Sequence, residues 1–340
     1  MRILIATDAW RPQINGVVRT YETLQAECAR LGHEVEFLTP AGFRTVPCPT
    51  YPEIRLALIR RRDAARVLNA FAPHHVHVAT EGPIGLAMRG HCLREALRFT
   101  TSYHTRFPEY VSARFPVPEA WGYALERWFH NAGSGVMVAT PSLRAELSAK
   151  GLKRLLPWSR GVDTGTFRPR PVRRFGDGPV FLYVGRVAIE KNIRAFLDLA
   201  LPGRKAVVGS GPHLEQLRAA YPDVAFTGPL TGEALSEAYA SADVFVFPSR
   251  TDTYGVVLLE ALASGLPVAA YPVTGPLDVV AQGKVGFLYE DLRKAALQAL
   301  TVDRRVCRDY ALTFGWEKCA RQFLDNISQV HAAAGYVDAG

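Results

Sequence analysis

One stretch constrains the chain more than any other: Phe245–Pro272, read FVFPSRTDTYGVVLLEALASGLPVAAYP. An apolar strand, Asp243–Phe247, breaks at Pro248-Ser249, and Thr251-Asp252-Thr253 offers side chains of the helix-capping kind. The pattern predicts a helix from about Gly255 to Ser264, a stop at Gly265 and a second strand over Pro267–Tyr271. A strand, a polar turn and a helix make a site for an anion, because the first amides of a helix lack internal partners and its N-terminal end carries partial positive charge. Asp252 stands just before that end and Glu260 about a turn and a half inside it, so the two carboxylates bracket it. The same residues also fit a capped surface helix with a solvated Glu260.

The chain is 340 residues long with 48% hydrophobic content, enough for two globular domains with separate cores. No run is apolar and long enough to span a bilayer, and the apolar part of MRILIATDAW is too short for a signal peptide, so the expected location is the cytoplasm. The five cysteines are scattered, odd in number and without C-x-x-C spacing, so neither a disulfide framework nor a zinc site is indicated. A formal charge of +8 implies an acidic partner: nucleic acid, anionic lipid or a phosphorylated ligand. Arg55, Arg60, Arg61, Arg62 and Arg66 crowd one stretch read as helical, interleaved with Leu56, Leu58, Ile59 and Val67. A basic amphipathic helix of this kind suits either an anionic membrane surface or plain solvent.

Taken in order, strand Ile3–Ala6, a turn ending at Gly16, helix Val17–Leu31 and strand Glu34–Thr39 form a βαβ unit of a parallel sheet. The turn carries only Gly16 where a dinucleotide fold has G-x-G-x-x-G, which argues against a dehydrogenase. Strand His75–Val78 and strand Arg98–Ser102 follow, the latter opening into Tyr103-His104-Thr105. A histidine at the carboxyl end of a parallel strand sits where α/β sheets bind ligands. Glu109, Tyr110 and Arg114 come next and suit an acceptor mouth. Leu155–Arg174, rich in Pro, Arg and Gly without a sustained period, is the expected domain boundary. The second half opens with strand Val180–Val184 and Gly185-Arg186, followed at a turn by Lys191-Asn192. Arg186 as a fork and Lys191 as a point charge can converge on a diphosphate, or form a solvated basic turn. Strand Lys205–Val208 meets Gly209-Ser-Gly211-Pro212, a turn suited to border a base and ribose by backbone approach.

These motifs resemble those of the retaining glycosyltransferases of family four. The D-x7-E spacing of Asp252 and Glu260 is similar to that family's E-x7-E element, in the TDT-aromatic-G variant of bacterial mannosyltransferases and sulfolipid-type lipid glycosyltransferases. G-R-x-x-x-E-K-N at Gly185–Asn192, YHTRFP around His104, the Gly16-Val17 pair and R-G-V-D-x-x-x-F-x-P from Arg160 to Pro169 also match. The resemblance implies a GT-B architecture: α/β, two doubly wound Rossmann-like domains facing across a cleft. An acceptor-side domain would span about 1–165, a nucleotide-sugar domain about 172–314, and a helix near 315–335 would return to the first.

It further implies a donor held by Gly16, Arg186, Lys191, Gly211, Asp252, Tyr254, Gly255, Val256 and Glu260, with Asp252, His104, Arg186 and Lys191 at the reacting centre. Asp252 would meet sugar hydroxyls and Glu260 the ribose diol. The chain has no D-x-D motif, so cations and helix amides are expected in place of a metal, and no cofactor is expected. The implied activity is transfer of a hexose, mannose from GDP-mannose by preference, to a lipid or glycan hydroxyl with retention. The alternatives are a UDP-sugar-dependent glycolipid synthase of the same family, a UDP-sugar epimerase on the same fold and a non-enzymatic nucleotide- or RNA-binding protein. Nucleic acid is disfavoured because no aromatic-and-basic binding motif is present. The basic arginines imply peripheral contact with the inner face of the cytoplasmic membrane.

Overall fold

The computed structural model describes residues 1–13, 16–48, 51–112 and 115–335, with side chains described outside 51–53 and 333–335. The chain divides into two compact units: Met1–Ser159 with Trp316–Gly340, and Arg160–Gly315. Both repeat one architecture.

Unit 1 runs through β1 (Arg2–Ala6), α1 (Gly16–Arg30), β2 (Glu34–Leu38), β3 (Thr45–Cys48), β4 (Tyr51–Ala57), α2 (Arg61–Phe71) and β5 (His75–Val78). It continues with α3 (Pro83–Arg94), β6 (Phe99–Tyr103), α4 (Phe107–Ser112), α5 (Glu119–His130), β7 (Gly135–Val138), α6 (Pro141–Ala149) and β8 (Leu155–Pro157). Its main sheet has the order β2-β1-β5-β6-β7-β8, every pair parallel. Helices cover both faces of such a sheet, so β1 is a short continuous apolar run instead of an alternating one.

Unit 2 holds β9 (Val180–Val184), α7 (Ile193–Leu197), β10 (Arg204–Val208), α8 (Leu214–Ala220), β11 (Ala225–Gly228), α9 (Gly232–Ala240) and β12 (Val244–Phe247). After these come α10 (Val256–Ala263), β13 (Val268–Ala270), α11 (Pro276–Val279), β14 (Gly286–Leu288), α12 (Leu292–Ala299) and α13 (Arg304–Ala311). The sheet order is β11-β10-β9-β12-β13-β14, again all parallel. In each sheet the order reverses once, between β1 and β5 in unit 1 and between β9 and β12 in unit 2. Such a reversal opens a crevice beyond the carboxyl ends of the two strands, where open α/β sheets take their ligands.

The last helix, α14 (Trp316–Gly335), belongs to unit 1. Its Cys319, Ala320, Phe323 and Ile327 enter the core formed by Ile3, Ile5, Tyr21, Leu24 and Trp158. Polar clasps fix its register: Trp158 Nε1 donates to the Cys319 carbonyl at 3.2 Å, and Asn326 Nδ2 to the Pro157 carbonyl at 2.8 Å.

Three expectations need correction. The five arginines do not share one helix, since Arg55 lies on β4, Arg60 precedes α2, and only Arg61, Arg62 and Arg66 lie on α2. Tyr51–Ala57 pairs antiparallel with Thr45–Cys48, and Arg55 donates to Thr45 Oγ1 and the Thr45 carbonyl at 3.0 Å. Short strand and helix thus abut within one charged stretch, and a helical period drawn across both merges them. Second, the expected boundary Leu155–Arg174 begins with a strand, β8, the outermost of the first sheet, where Pro157 leaves no inner ladder unpaired. Third, the residue capping α10 is Gly255, at φ 79°, ψ 69°, with no side-chain cap hydrogen bond, in place of Thr251, Asp252 or Thr253. Arg114, expected near an acceptor mouth, lies outside the described residues.

Phe323 is fully buried, so Phe323→Ala is expected to destabilise unit 1 by about 3–5 kcal/mol, read as a shift of the first transition in urea denaturation.

Candidate active site

The loops beyond β9 and β12, the strands flanking the reversal in unit 2, are tied to each other side chain by side chain. Beyond β9, Ile189–Lys191 forms a single 3-10 turn ended by Asn192 at φ 52°, ψ 35°, a left-handed position that asparagine tolerates better than most residues. Asn192 Nδ2 then donates to the Pro248 carbonyl at 3.1 Å, and Thr251 Oγ1 to the Glu190 carbonyl at 3.2 Å. Between them Lys191 Nζ meets Asp252 Oδ1 at 2.5 Å. The other carboxylate oxygen, Asp252 Oδ2, is buried and has no hydrogen-bond partner among the described residues. A buried carboxylate oxygen without a donor costs free energy, and a ligand hydroxyl would supply that donor. The loop beyond β13 closes the group: Gly275 is at φ 93°, a conformation that favours glycine, and a Cβ there would lie a tight 3.2 Å from the Tyr254 carbonyl and 3.3 Å from that of Asp252.

Asp252 therefore stands immediately before the start of α10, and that start is open. No hydrogen bond to the Val256 or Val257 amide is made among the described residues, so the first two amides of this eight-residue helix are available to an anion, while that of Leu258 donates to the Gly255 carbonyl at 2.9 Å. The comparable helix of unit 1, α3, follows β5 across its own reversal and is closed. Asp8 Oδ1 accepts from the Ile84 amide at 2.9 Å, and Asp8 Oδ2 from the Gly85 amide at 3.2 Å and from Thr80 Oγ1 at 2.9 Å. A Cβ on Gly82 would lie 2.4 Å from the Asp8 carboxyl carbon, so the fit depends on glycine. Burial raises the Asp8 pKa above the ordinary carboxyl value, against the lowering effect of these donors.

The remaining sequence-derived residues fall into two groups. Arg186 lies on the loop beyond β9, its carbonyl accepting from Tyr183 Oη at 2.8 Å, and Val256 is the first residue of α10. Glu260 is on the same helix but only 1% exposed, which overturns the solvated reading; Tyr239 Oη, on α9, donates to its Oε2 at 2.9 Å. Tyr254 is buried and its hydroxyl points to the Arg160 carbonyl, 3.4 Å away. Gly211 is demanded by its neighbour: a Cβ there would lie 2.3 Å from the Val187 carbonyl oxygen. Gly16, at the start of α1 in unit 1, differs, since a Cβ there would meet nothing within 4 Å.

His104 stands in unit 1 just beyond β6, half-buried, with Nε2 2.8 Å from Tyr21 Oη. Glu109, expected near an acceptor mouth, is taken up inside the unit by Arg106 at 3.2 Å and by Tyr123 Oη at 2.6 Å. Arg106 also forks onto Glu146 at 2.6 and 2.7 Å.

Sequence reasoning missed a buried triad. His130 Nε2 lies 3.1 Å from Glu81 Oε1 and 3.0 Å from Glu126 Oε2, while its Nδ1 lies 2.8 Å from Thr101 Oγ1. Among the described residues this is the one group of three whose ligand atoms lie close enough to hold a metal ion. The signal was there in Glu126 and His130 at helical i,i+4 spacing on α5, but the partner Glu81 is 45 residues upstream of Glu126 and only the fold joins them. Burial alone would lower the imidazole pKa; the hydrogen bonds to Glu126 and Glu81 outweigh it and raise the value to about 9.

Two α/β units of this kind, each with a parallel sheet reversing once and one with an open helix start beside a lysine and a carboxylate, define the GT-B class of nucleotide-sugar enzymes. Residues 178–302 match the family described as glycosyl transferases group 1, and residues 14–166 match glycosyltransferase family 4. The chain belongs to this glycosyltransferase family. It is 31% identical over 315 residues to the GDP-mannose-dependent alpha-mannosyltransferase of Mycobacterium tuberculosis, covering 85% of this chain and 83% of that protein. With sulfoquinovosyl transferase SQD2 of Arabidopsis thaliana it is 34% identical over 272 residues, 73% of this chain but only 53% of the plant protein's length. The fold is shared with sucrose-phosphate synthase of Thermosynechococcus elongatus, TM-score 0.79 at 21% identity, covering 98% of this chain and 99% of that one. It is shared as well with Anabaena HepE in complex with UDP and glucose, TM-score 0.73 at 15% identity, covering 97% and 100%.

The triad sets a pH dependence. The ordinary imidazole value is 6.5 and the folded value about 9, so the folded state holds its proton more tightly and gains stability that is complete below pH 6.5 and lost as pH rises through 9. Glu81, raised chiefly by burial from 4.5 to about 7, acts in a lower window, which leaves the range above pH 7 to His130. Unfolding free energy measured by urea titration is expected to fall between these limits, and His130→Gln is expected to flatten that slope.

Proposed function

We propose that this glycosyltransferase moves a hexose from a nucleotide diphosphate sugar to a hydroxyl of a lipid or glycan, with retention of configuration and without a metal ion. The observation that carries the reading is the open start of α10 next to the Lys191–Asp252 pair. Cleaving a sugar–phosphate bond requires stabilising the departing diphosphate, and the α10 amides, Lys191 and Arg186 offer that as fixed positive groups. Asp252 Oδ2 takes a sugar hydroxyl. The bond from acceptor oxygen to the anomeric carbon forms as the bond to phosphate breaks, and the departing diphosphate oxygen takes the acceptor's proton. Mannose from GDP-mannose is the preferred donor, supported by relatives of that name in three actinobacteria, two of them over 83% and 90% of their lengths at 31% and 32% identity. SQD2 and the alpha-monoglucosyldiacylglycerol synthase of Streptococcus pneumoniae support the UDP-sugar alternative and a glycolipid product.

A membrane-borne acceptor has its own support in unit 1. Trp121, Leu125 and Trp128 are exposed at 70%, 61% and 53% along one face of α5, spaced four and three residues apart. α4 packs against α5 where Gly122 meets Pro108, and exposes Phe107 and Val111. Tryptophans favour the bilayer interface, and the positive charge of the chain favours an anionic leaflet. No helix among the described residues is long and apolar enough to cross a membrane. This aromatic face, together with Arg61, Arg62 and Arg66 of α2, is the proposed contact.

Two measurements test these statements. GDP, UDP, GDP-mannose and UDP-glucose are compared by thermal shift: one nucleotide family is expected to stabilise the protein by about 2–3 kcal/mol at a hundredfold excess over Kd, and Lys191→Ala to abolish it. No shift with any of them at millimolar concentration would refute the donor site. Flotation with phosphatidylglycerol-containing vesicles is expected to carry the protein upward, and Trp121→Ser with Trp128→Ser to leave it at the bottom of the gradient. Flotation unchanged in that double variant removes the α5 face from the contact.

A further inference from the structure

Unit 1 contains a continuous line of proton-exchanging groups that begins at His104 and ends at an exposed histidine on α14. His104 Nε2 lies 2.8 Å from Tyr21 Oη, which lies 3.0 Å from His77 Nε2. His77 Nδ1 is 2.8 Å from Thr100 Oγ1, and that hydroxyl is 2.9 Å from His75 Nε2. His75 Nδ1 is 3.0 Å from His331 Nε2. Tyr21, His77, Thr100 and His75 are buried, while His331 is exposed.

The backbone explains the alignment. Parallel pairing sets His77 opposite Thr100, and the two-residue period of the strands puts His75, His77, Thr100 and Ser102 on one face of the sheet. Among the groups facing the line are Tyr21 from α1, Thr100 and Ser102 from β6 and His331 from α14, with Ser102 Oγ 2.8 Å from His77 Nε2. The rings of Trp158 and Phe323 wall it at 5.1–6.1 Å from the imidazoles of His77 and His104.

Each neutral imidazole carries one N–H and one acceptor nitrogen, and each hydroxyl can donate once while accepting. Where each hydroxyl donates along the line instead of accepting from both sides, such a line has two polarities. In one, His104 Nε2–H donates to Tyr21 and every following bond points toward His331. In the other, His331 Nε2–H donates to His75, every bond points back, and His104 must accept at Nε2 and carry its proton on Nδ1. A doubly protonated His331 permits only the second polarity, and a doubly protonated His104 only the first. His75 stays neutral in both, because burial and the nearby His331 push its value down to about 3.

We infer that Tyr21, His77, Thr100 and His75 form a relay that sets which nitrogen of His104 bears its proton, so that His331 determines whether His104 presents a donor or an acceptor at Nδ1. The relay also sets the two end rings against each other, since a charged His104 and a charged His331 call for opposite polarities of the line. It rests on the reading that His104 meets the sugar or acceptor, where a switch between donor and acceptor decides which oxygen the ring can hold. Tyr21, His77, Thr100 and His75 are positioning residues in this scheme, acting through His104.

The test needs no substrate, so its failure and a failure of the donor assignment are separate results. In histidine-labelled protein, nitrogen NMR shifts report which ring nitrogen is protonated. In the wild type, titrating His331 into its charged form is expected to leave the His104 proton on Nδ1. Thr100→Val cuts the line at its centre, and Thr100→Ser keeps a hydroxyl there. The His104 tautomer is expected to ignore His331 in Thr100→Val and to follow it again in Thr100→Ser. His331→Ala, a change at an exposed position, is expected to remove the response without disturbing the fold. A His104 proton on Nε2 when His331 is charged, or the wild-type response persisting in Thr100→Val or in His331→Ala, would overturn the relay.

Discussion

The contact between Lys191 and Asp252 joins the loops of the two strands at which the second sheet reverses its order, and much of unit 2 is arranged to hold it. A partly buried ion pair is costly unless its geometry is fixed, because both charges give up water. Fixing comes from backbone-directed bonds on either side, Asn192 to Pro248 and Thr251 to Glu190, and from Gly275 pressing on the Asp252–Tyr254 turn. Glycine is needed twice more behind it, since Cβ atoms on Gly209 and Gly211 would strike the Gly185 and Val187 carbonyls at 1.9 and 2.3 Å. The loop beyond β10 thus packs backbone to backbone against the loop beyond β9, which in turn reaches the loop beyond β12 through side chains, the charged pair among them.

Unit 1 solves a different problem. Parallel sheets covered on both faces are ordinarily apolar, yet β5 and β6 bring His75, His77, Thr100, Thr101 and Ser102 into the interior. Each finds a polar partner, on one face through Tyr21 and His331 and on the other through His130. Unpaired, such groups would each cost on the order of 1–3 kcal/mol, so networks this deep are stable only when complete.

Much of this was legible in the sequence because it is local. Strand-turn-helix signals, the apolar runs and the D-x7-E spacing place Asp252, Glu260, Arg186 and Lys191 correctly on their elements. What was not legible depends on pairing between distant segments. His77 reads as one more residue of a short strand until β6 is set beside it, and Glu81 reads as a turn residue until α5 brings Glu126 and His130. The helical period assigned to Arg55–Arg66 failed where a hairpin strand and a helix follow each other without punctuation. Gly211 illustrates a further case: Val187 of the adjacent loop leaves it no room for a side chain, a demand that no local pattern shows.

The unlike starts of α3 and α10 give the molecule an internal sense of direction. The two copies of the fold differ here in charge: in one the helix following the reversal holds the carboxylate of Asp8, and in the other no carboxylate of the described residues is hydrogen-bonded at the helix start. The two helix starts are therefore electrically unequal: the partial charge of one is met by a carboxylate inside unit 1, and that of the other is met by no carboxylate of the described residues. A duplicated scaffold becomes an asymmetric one through a single aspartate, Asp8, whose carboxylate fills one helix start and has no hydrogen-bonded counterpart at the other among the described residues.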